Sequence, residues 1–220
     1  MKKNILDQFT LFIFRRIKNT KLMAKNLREP KDFLIGYIAR KVMQFDNQEV
    51  VEGSVKKLDV QKGEVVVEVG SGNGQALREI IRRSPRKIYA IEISKKFRDV
   101  LHSKFSDQNI SIIGNDAKDL SDVVETNSID KLLLINVIYF LNPLDDYLKE
   151  FKRIIKKSGS ILIVSKFHLA KTFDQSVFQN TDAAFVIPKL QEYFEVFYES
   201  VESEKATSQY QVITLKNKQI

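Results

Sequence analysis

Glu68 sits inside an apolar run, Val65-Val66-Val67-Glu68-Val69, and three glycines follow at every second position: Gly70, Gly72 and Gly74. Glycines spaced in this way leave the backbone bare, so a ligand can approach the main chain closely. If the run is a strand and the segment after Gly74 a helix, the turn also offers the free N–H groups of a helix start. The acid bears on the charge of that ligand. A phosphate cradle is weakened by a carboxylate beside it, whereas a ligand carrying an amine or a sulfonium is favoured. The spacing also departs from the dinucleotide fingerprint G-x-G-x-x-G/A, whose third glycine position, counted from Gly70, falls on Gln75. Two further acids stand at comparable places: Glu92 after Ile88-Tyr89-Ala90-Ile91, and Asp116 after Ile112-Ile113-Gly114-Asn115.

Positioning these acids takes strands that alternate with helices. Strands are expected at 64–69, 87–92, 110–114, 129–136 and 159–165, several of them apolar without alternation, as in strands buried on both faces. Helices are expected between them near 73–84, 94–105, 119–125 and 143–156. The alternation implies right-handed βαβ units and a parallel sheet, with ligands at the carboxyl ends of the strands. A helical stretch near 175–193 and strands near 194–202 and 209–216 follow. The segment Glu204 to Ser208 between the last two is too short for a crossover helix, so they pair as an antiparallel hairpin at one edge. Upstream, Pro30 is placed to open a helix near 31–45 with Phe33, Leu34, Tyr37, Ile38, Val42 and Phe45 on one face. A second helix near 47–58 carries Val50, Val51, Val55 and Leu58.

Glu68-x-Gly70-x-Gly72-x-Gly74 resembles the first motif of class I S-adenosylmethionine-dependent methyltransferases, and the resemblance covers most of residues 27–216. It implies a Rossmann-like, doubly wound α/β fold. The sheet would be seven-stranded and mostly parallel, with a C-terminal antiparallel hairpin and an N-terminal helical lid. It also implies S-adenosyl-L-methionine as the cofactor. Glu68, Gly70, Ser71, Gly72 and Gly74 would surround its methionine portion, and Glu92, followed by Ile93, would accept the ribose hydroxyls. Asp116 would accept the adenine amino group with Ala117 beside the ring, and Asn136 would complete the set. Asn26-Leu27-Arg28-Glu29-Pro30, Gly36, Met43 to Asn47, and Asn136-Val137-Ile138-Tyr139-Phe140-Leu141 with Pro143 are similar to a small-molecule, type 11-like subgroup. Two turns depart from the family: Lys157-Ser158-Gly159-Ser160 replaces a Pro-Gly-Gly turn, and Phe194-Glu195-Val196 replaces a Gly-Phe before the hairpin.

The candidates on the acceptor side are Asn136 and Tyr139, at the fourth strand's end, and His168, just past Val164-Ser165-Lys166-Phe167. Tyr139 reads either as a wall or hydrogen-bond donor of the methyl pocket, or as an aromatic packing under the lid. His168 reads as a base or as a surface histidine. Asn47 and Tyr37 are candidates to close over the cofactor, and no metal is expected. The residues after the fourth strand are not Asn-Pro-Pro-Tyr, which counts against the base- and amide-nitrogen methyltransferases that use that segment. The chain has no cysteine, which excludes the covalent route to carbon 5 of pyrimidines. The expected reaction is in-line methyl transfer to a small-molecule or lipid-like acceptor, with no nucleic acid partner. A protein or RNA methyltransferase and a methyltransferase-fold scaffold subunit of a larger assembly are the alternatives.

The 220 residues are 43% hydrophobic, as in a soluble globular protein, and their net charge of +8 is localised. Residues 1–41 hold eleven Lys and Arg against three acids, the whole excess, while residues 42–220 hold 25 of each. We therefore divide the chain into a basic amphipathic extension, 1–25, and a methyltransferase domain, 26–220, that includes the helices of 31–58. Leu6, Phe9, Phe12 or Ile13, and Ile17 recur at helical spacing in the extension. Three readings fit it: a helix packed on the domain, a helix on an anionic membrane surface involving residues 1–22, or an organellar presequence. The corresponding locations are the cytoplasm, a membrane surface or the mitochondrion.

Overall fold

Apolar runs rich in Ile, Val and Leu fold as the central strands β1 (Val65–Val69), β2 (Lys87–Ile91), β3 (Ile110–Ile113), β4 (Ile129–Ile135) and β5 (Ile155–Ser165), with β6 (Glu195–Glu202) and β7 (Gln209–Lys216) closing the chain. The computed structural model describes residues 5–31, 33–106, 108–202 and 209–218. The loop Glu204 to Ser208 and the side chains of Leu6, Phe33 and Phe45 lie outside the described residues. The strands form one seven-stranded sheet in the order β3-β2-β1-β4-β5-β7-β6. β1 to β5 pair in parallel, and β7 runs antiparallel to both β5 and β6. The expected fold class and edge hairpin are thus present. The strand order reverses between β1 and β4, so a crevice opens at their carboxyl ends.

Helices α1 (Ile5–Ile17), α2 (Lys21–Arg28), α3 (Phe33–Asp46) and α4 (Gln48–Leu58) precede the sheet. After β1, the chain forms α5 (Gln75–Ile81), α6 (Lys95–Phe105), α7 (Leu144–Ile154), α8 (Phe167–Ala170) and α9 (Ala183–Tyr193). Strand alternation splits the core: Val65, Val67 and Val69 pack on one face of the sheet and Val66 on the other. A third, smaller cluster joins Met23, Ile38, Ala39 and Val42 with Leu11, Phe14 and Ile17, and this holds α1, α2 and α3 together as a lid. Asn26 fixes its internal turn. Its side chain donates to Leu22 O (2.9 Å) and accepts from Lys31 N–H (3.0 Å). Gly36 allows the close approach, since a Cβ there would lie 3.2 Å from Asn26 Oδ1. The 25/26 boundary falls inside α2.

Three expected elements are built differently. No helix forms over 119–125; Val123 and Val124 N–H both bond Leu120 O in a single turn (3.0 and 2.8 Å). The segment is held from α7 instead: Glu150 accepts from Leu120 N–H (3.0 Å) and Arg153 donates to Val124 O (2.9 Å). The helix expected over 175–193 begins only at Ala183, where Asp182 caps it by accepting from Ala184 N–H (3.0 Å). Lys157 to Ser160 is strand, not turn, because α7 runs directly into β5. The β4–β5 register slips between Ile129 and Lys131, and Gly159 lies inside this irregularity. A Cβ on Gly159 would meet Ile129 O and Ile155 Cγ1 at 2.9 Å. Gly159→Ala is therefore expected to lower stability by about 1–3 kcal/mol in urea unfolding, whereas Ser158→Ala, at an exposed neighbour, shifts it by less than about 0.5 kcal/mol.

Candidate active site

The three glycines after β1 all take positive φ, but for different reasons. A Cβ on Gly70 would lie 2.5 Å from Val137 Cγ2, and one on Gly74 would lie 2.4 Å from Phe105 Cε2. These two glycines let the protein close on itself. Gly72 (φ +52°) meets no atom nearer than Gly70 O at 4.0 Å, and it faces the crevice. Its N–H donates to Glu92 Oε2 (2.8 Å), while Glu92 Oε1 accepts from Ser94 N–H (2.8 Å). One carboxylate thus joins the exits of β1 and β2. Burial raises the Glu92 pKa and the two amide bonds pull it back. Arg98 braces the same turn by donating to the carbonyl oxygens of Glu92 (2.9 Å) and Ile93 (2.8 Å).

A cavity of about 400 Å³ lies over the strand ends, within the size range of small-molecule sites. Gly70, Gly72, Glu92, Ile93, Asp116 and Ala117 line one half. Asp116 Oδ2 accepts from the Tyr147 hydroxyl (3.0 Å), an interaction that, after burial, holds the phenol proton on. Asn136 sits at the β4 exit in left-handed backbone (φ +56°), a conformation that asparagine tolerates better than most residues. Its side chain donates to Asn47 Oδ1 (3.2 Å) and accepts from the Tyr139 hydroxyl (3.3 Å). Tyr139 Oη in turn accepts from Lys166 N–H, so β4, β5 and the α3–α4 junction share one chain of hydrogen bonds.

The other half of the cavity is aromatic. Tyr139 stacks on Phe178 (5.5 Å between centroids), Phe178 meets Phe140 (4.6 Å) and Phe173 (4.7 Å), and Phe14 of α1 reaches Phe173 (6.4 Å). Leu11 and Arg15 of α1, Lys18 just past its end, and Met43 of α3 complete the roof.

Residues 67–163, from β1 into β5, match the family described as a methyltransferase domain. A 72-residue segment is 38% identical to a ribosomal RNA small subunit methyltransferase A of Persephonella marina, covering 32% of this chain and 27% of that one. The fold is shared with a SAM-dependent methyltransferase of Aquifex aeolicus (TM-score 0.63, 17% identity, covering 80% of this chain and 95% of that one). It is shared also with a Haloferax volcanii complex between the Trm112 methyltransferase activator and a methyltransferase (TM-score 0.71, 15% identity, covering 81% and 93%). The chain thus has the fold of S-adenosylmethionine-dependent methyltransferases and is similar in sequence to a methyltransferase domain from β1 into β5; it spans about a quarter to two fifths of the length of the curated relatives it matches.

The expected residues Gly70, Gly72, Glu92, Ile93, Asp116, Ala117, Asn136 and Tyr139 line one cavity, joined by Asn47. Glu68, Ser71, Gly74, Tyr37 and His168 do not line it. Glu68 is 4% exposed and shares its sheet face with Val66. Among the described residues its Oε2 has no hydrogen-bond partner, and burial pushes its pKa from 4.5 to about 8. His168 is exposed on α8, where partial burial and Lys166 lower its pKa. Tyr139 is buried and its pKa is pushed up by burial, which suits a wall rather than a base. The residues that the motifs did not single out are Phe14, Arg15, Lys18, Lys166, Phe173 and Phe178. Leu11, Phe14, Arg15 and Lys18 have the i, i+3, i+4, i+7 spacing of one helix face, a signal present in the sequence. Phe173 and Phe178 lie in a segment without periodicity.

Because the Cβ position of Gly72 is open but its backbone is left-handed, Gly72→Arg is expected to abolish binding of S-adenosylhomocysteine in calorimetry while lowering stability by only about 1–2 kcal/mol. A variant that binds normally contradicts this placement. Glu68 has a separate signature. The folded carboxyl keeps its proton up to about pH 8 and the unfolded one loses it near 4.5, so stability falls as pH rises across that window and no further above it. Urea midpoints are expected to fall less steeply between about pH 5 and pH 8 in Glu68→Gln than in the parent.

Proposed function

We propose that this methyltransferase moves the methyl group of S-adenosylmethionine onto a small-molecule or lipid-like acceptor held under the α1–α3 lid. The observation that carries this reading is the aromatic half of the cavity, walled by Tyr139, Phe140, Phe173 and Phe178 and roofed by Phe14. Such a lining suits an apolar body buried on several sides.

The cofactor half fits its occupant. Each Glu92 oxygen takes one main-chain N–H and keeps acceptor capacity for the ribose hydroxyls. Asp116 would accept the adenine amino group beside Ala117, and Asn136, which donates to Asn47, would stand beside them in the same lining. S-adenosylmethionine, when bound, supplies a methyl group already activated by its sulfonium. The protein's work is then alignment and exclusion of water. Tyr139 contributes by fixing the wall and Asn136 by linking wall to lid. No side chain is assigned as a base, which is needed only if the acceptor carries a proton on the attacking atom.

The outer surface of the lid supports a membrane setting. Phe9 (58% exposed), Phe12 (54%), Leu22 and Leu34 face outward in the segment that holds the whole charge excess. A helix with this surface rests on anionic lipid by burying its rings while its cations meet the headgroups. Phe9→Ser with Phe12→Ser is expected to reduce retention on phosphatidylglycerol vesicles several-fold without altering cofactor affinity; unchanged retention removes the membrane from the proposal.

A second reading, RNA as acceptor, is favoured by the segment similar to ribosomal RNA methyltransferases, and a protein activator like the one in the Haloferax complex belongs with it. The internal stacking of Tyr139 weighs against it, since that ring is not offered to an incoming base. Incubation with labelled S-adenosylmethionine and fractionated cell extract separates the readings. Label in the lipid or small-molecule fraction is expected, label confined to RNA selects the second, and label confined to protein overturns both.

A further inference from the structure

We infer that the acceptor is an amphiphile with an anionic head, a carboxylate or a phosphate, seated along the inner face of α1; this rests on the small-molecule reading above. The roof that α1 gives the cavity is a single stripe, Leu11, Phe14 and Arg15, which Lys18 extends in the turn just past the helix end. Its start is apolar and its end cationic. From residue 11 to residue 18 the stripe extends about 10 Å along the helix axis. A molecule lying beneath it meets Leu11 and Phe14 with its body and Arg15 and Lys18 with its head.

The charges elsewhere in the cavity support this polarity. Its acids, Glu92 and Asp116, line the half proposed for the cofactor, where each already accepts protein hydrogen bonds. Arg28 and Lys166 also line the cavity, Lys166 being 5% exposed. Among the described residues, Arg15 and Lys18 enter no ion pair. Cations gathered beside an aromatic wall repel one another, and an anion between them relieves the repulsion. Arginine with lysine at one end suits the planar or tetrahedral oxygens of a carboxylate or phosphate. A cationic headgroup has no acid to meet at that end among the described lining residues.

The test uses the full chain saturated with S-adenosylhomocysteine, titrated calorimetrically with decanoate, decyl phosphate, decanol or decyltrimethylammonium. The anionic amphiphiles are expected to bind at least about tenfold more tightly than decanol, and whichever of the two binds better names the head. Arg15→Gln with Lys18→Gln should erase that preference while leaving affinity for S-adenosylhomocysteine intact. Arg16→Gln, whose side chain lies outside the cavity over the Phe12 ring, should not alter it. Equal binding of all four amphiphiles, an equal effect of Arg16→Gln, or displacement of decanoate by a single-stranded RNA decamer overturns the proposal. Failure of S-adenosylhomocysteine to bind the parent protein is a different result, which overturns the underlying reading and this proposal with it.

Discussion

One buried carboxylate organises the glycine-lined half of the cavity. Glu92 accepts from Gly72 N–H through one oxygen and from Ser94 N–H through the other, each at 2.8 Å. Hydrogen bonds to a charged group contribute about 1.5–3 kcal/mol each, enough to hold two loops that would otherwise move independently. The first bond fixes the glycine turn after β1. The second fixes the start of α6, where Ser94 also caps Phe97 N–H (3.4 Å). Removing the carboxylate would release the bare surface of Gly72 from the position in which it faces the cavity.

The rest of the cavity is built onto this frame by polar links between elements distant in sequence. Asn136 joins β4 to Asn47, at the junction of α3 and α4, and Tyr139 joins β4 to the β5 exit. The lid depends less on the sheet than on itself, because Met23, Ile38, Ala39 and Val42 form a core of their own. That arrangement explains why α1 can carry cations on a cavity-facing stripe: its fold does not rely on a wholly apolar inner face. It also makes the N-terminal helices part of the cavity wall rather than an appendage to the sheet.

Most of the fold was legible because buried parallel strands write themselves as unbroken Ile, Val and Leu runs. Helix α4 was equally plain from the spacing of Val50, Val51, Val55 and Leu58. The misreadings share a cause. Over 119–125 local propensity gave way to tethers from Glu150 and Arg153, which lie some thirty residues away. At Gly159 a glycine that suggests a turn serves instead a tight strand irregularity. In the site, the acids at the ends of β1, β2 and β3 were visible by spacing, but spacing does not tell which face of the sheet an acid occupies. Glu68 and Glu92 look alike in sequence; only the latter lines the cavity. The aromatic wall was hidden because Phe173 and Phe178 come from an irregular segment whose position depends on tertiary packing.

The central claim is that Glu92 and Asp116 hold the methyl donor in the same cavity that the lid closes over an apolar acceptor. A crystal structure with S-adenosylhomocysteine bound tests this most directly. The account predicts ribose hydroxyls on the Glu92 carboxylate, the adenine amino group at Asp116, and the sulfur directed toward Asn136 and the aromatic wall. A ligand bound outside the cavity, or within it but without contact to Glu92, would contradict it.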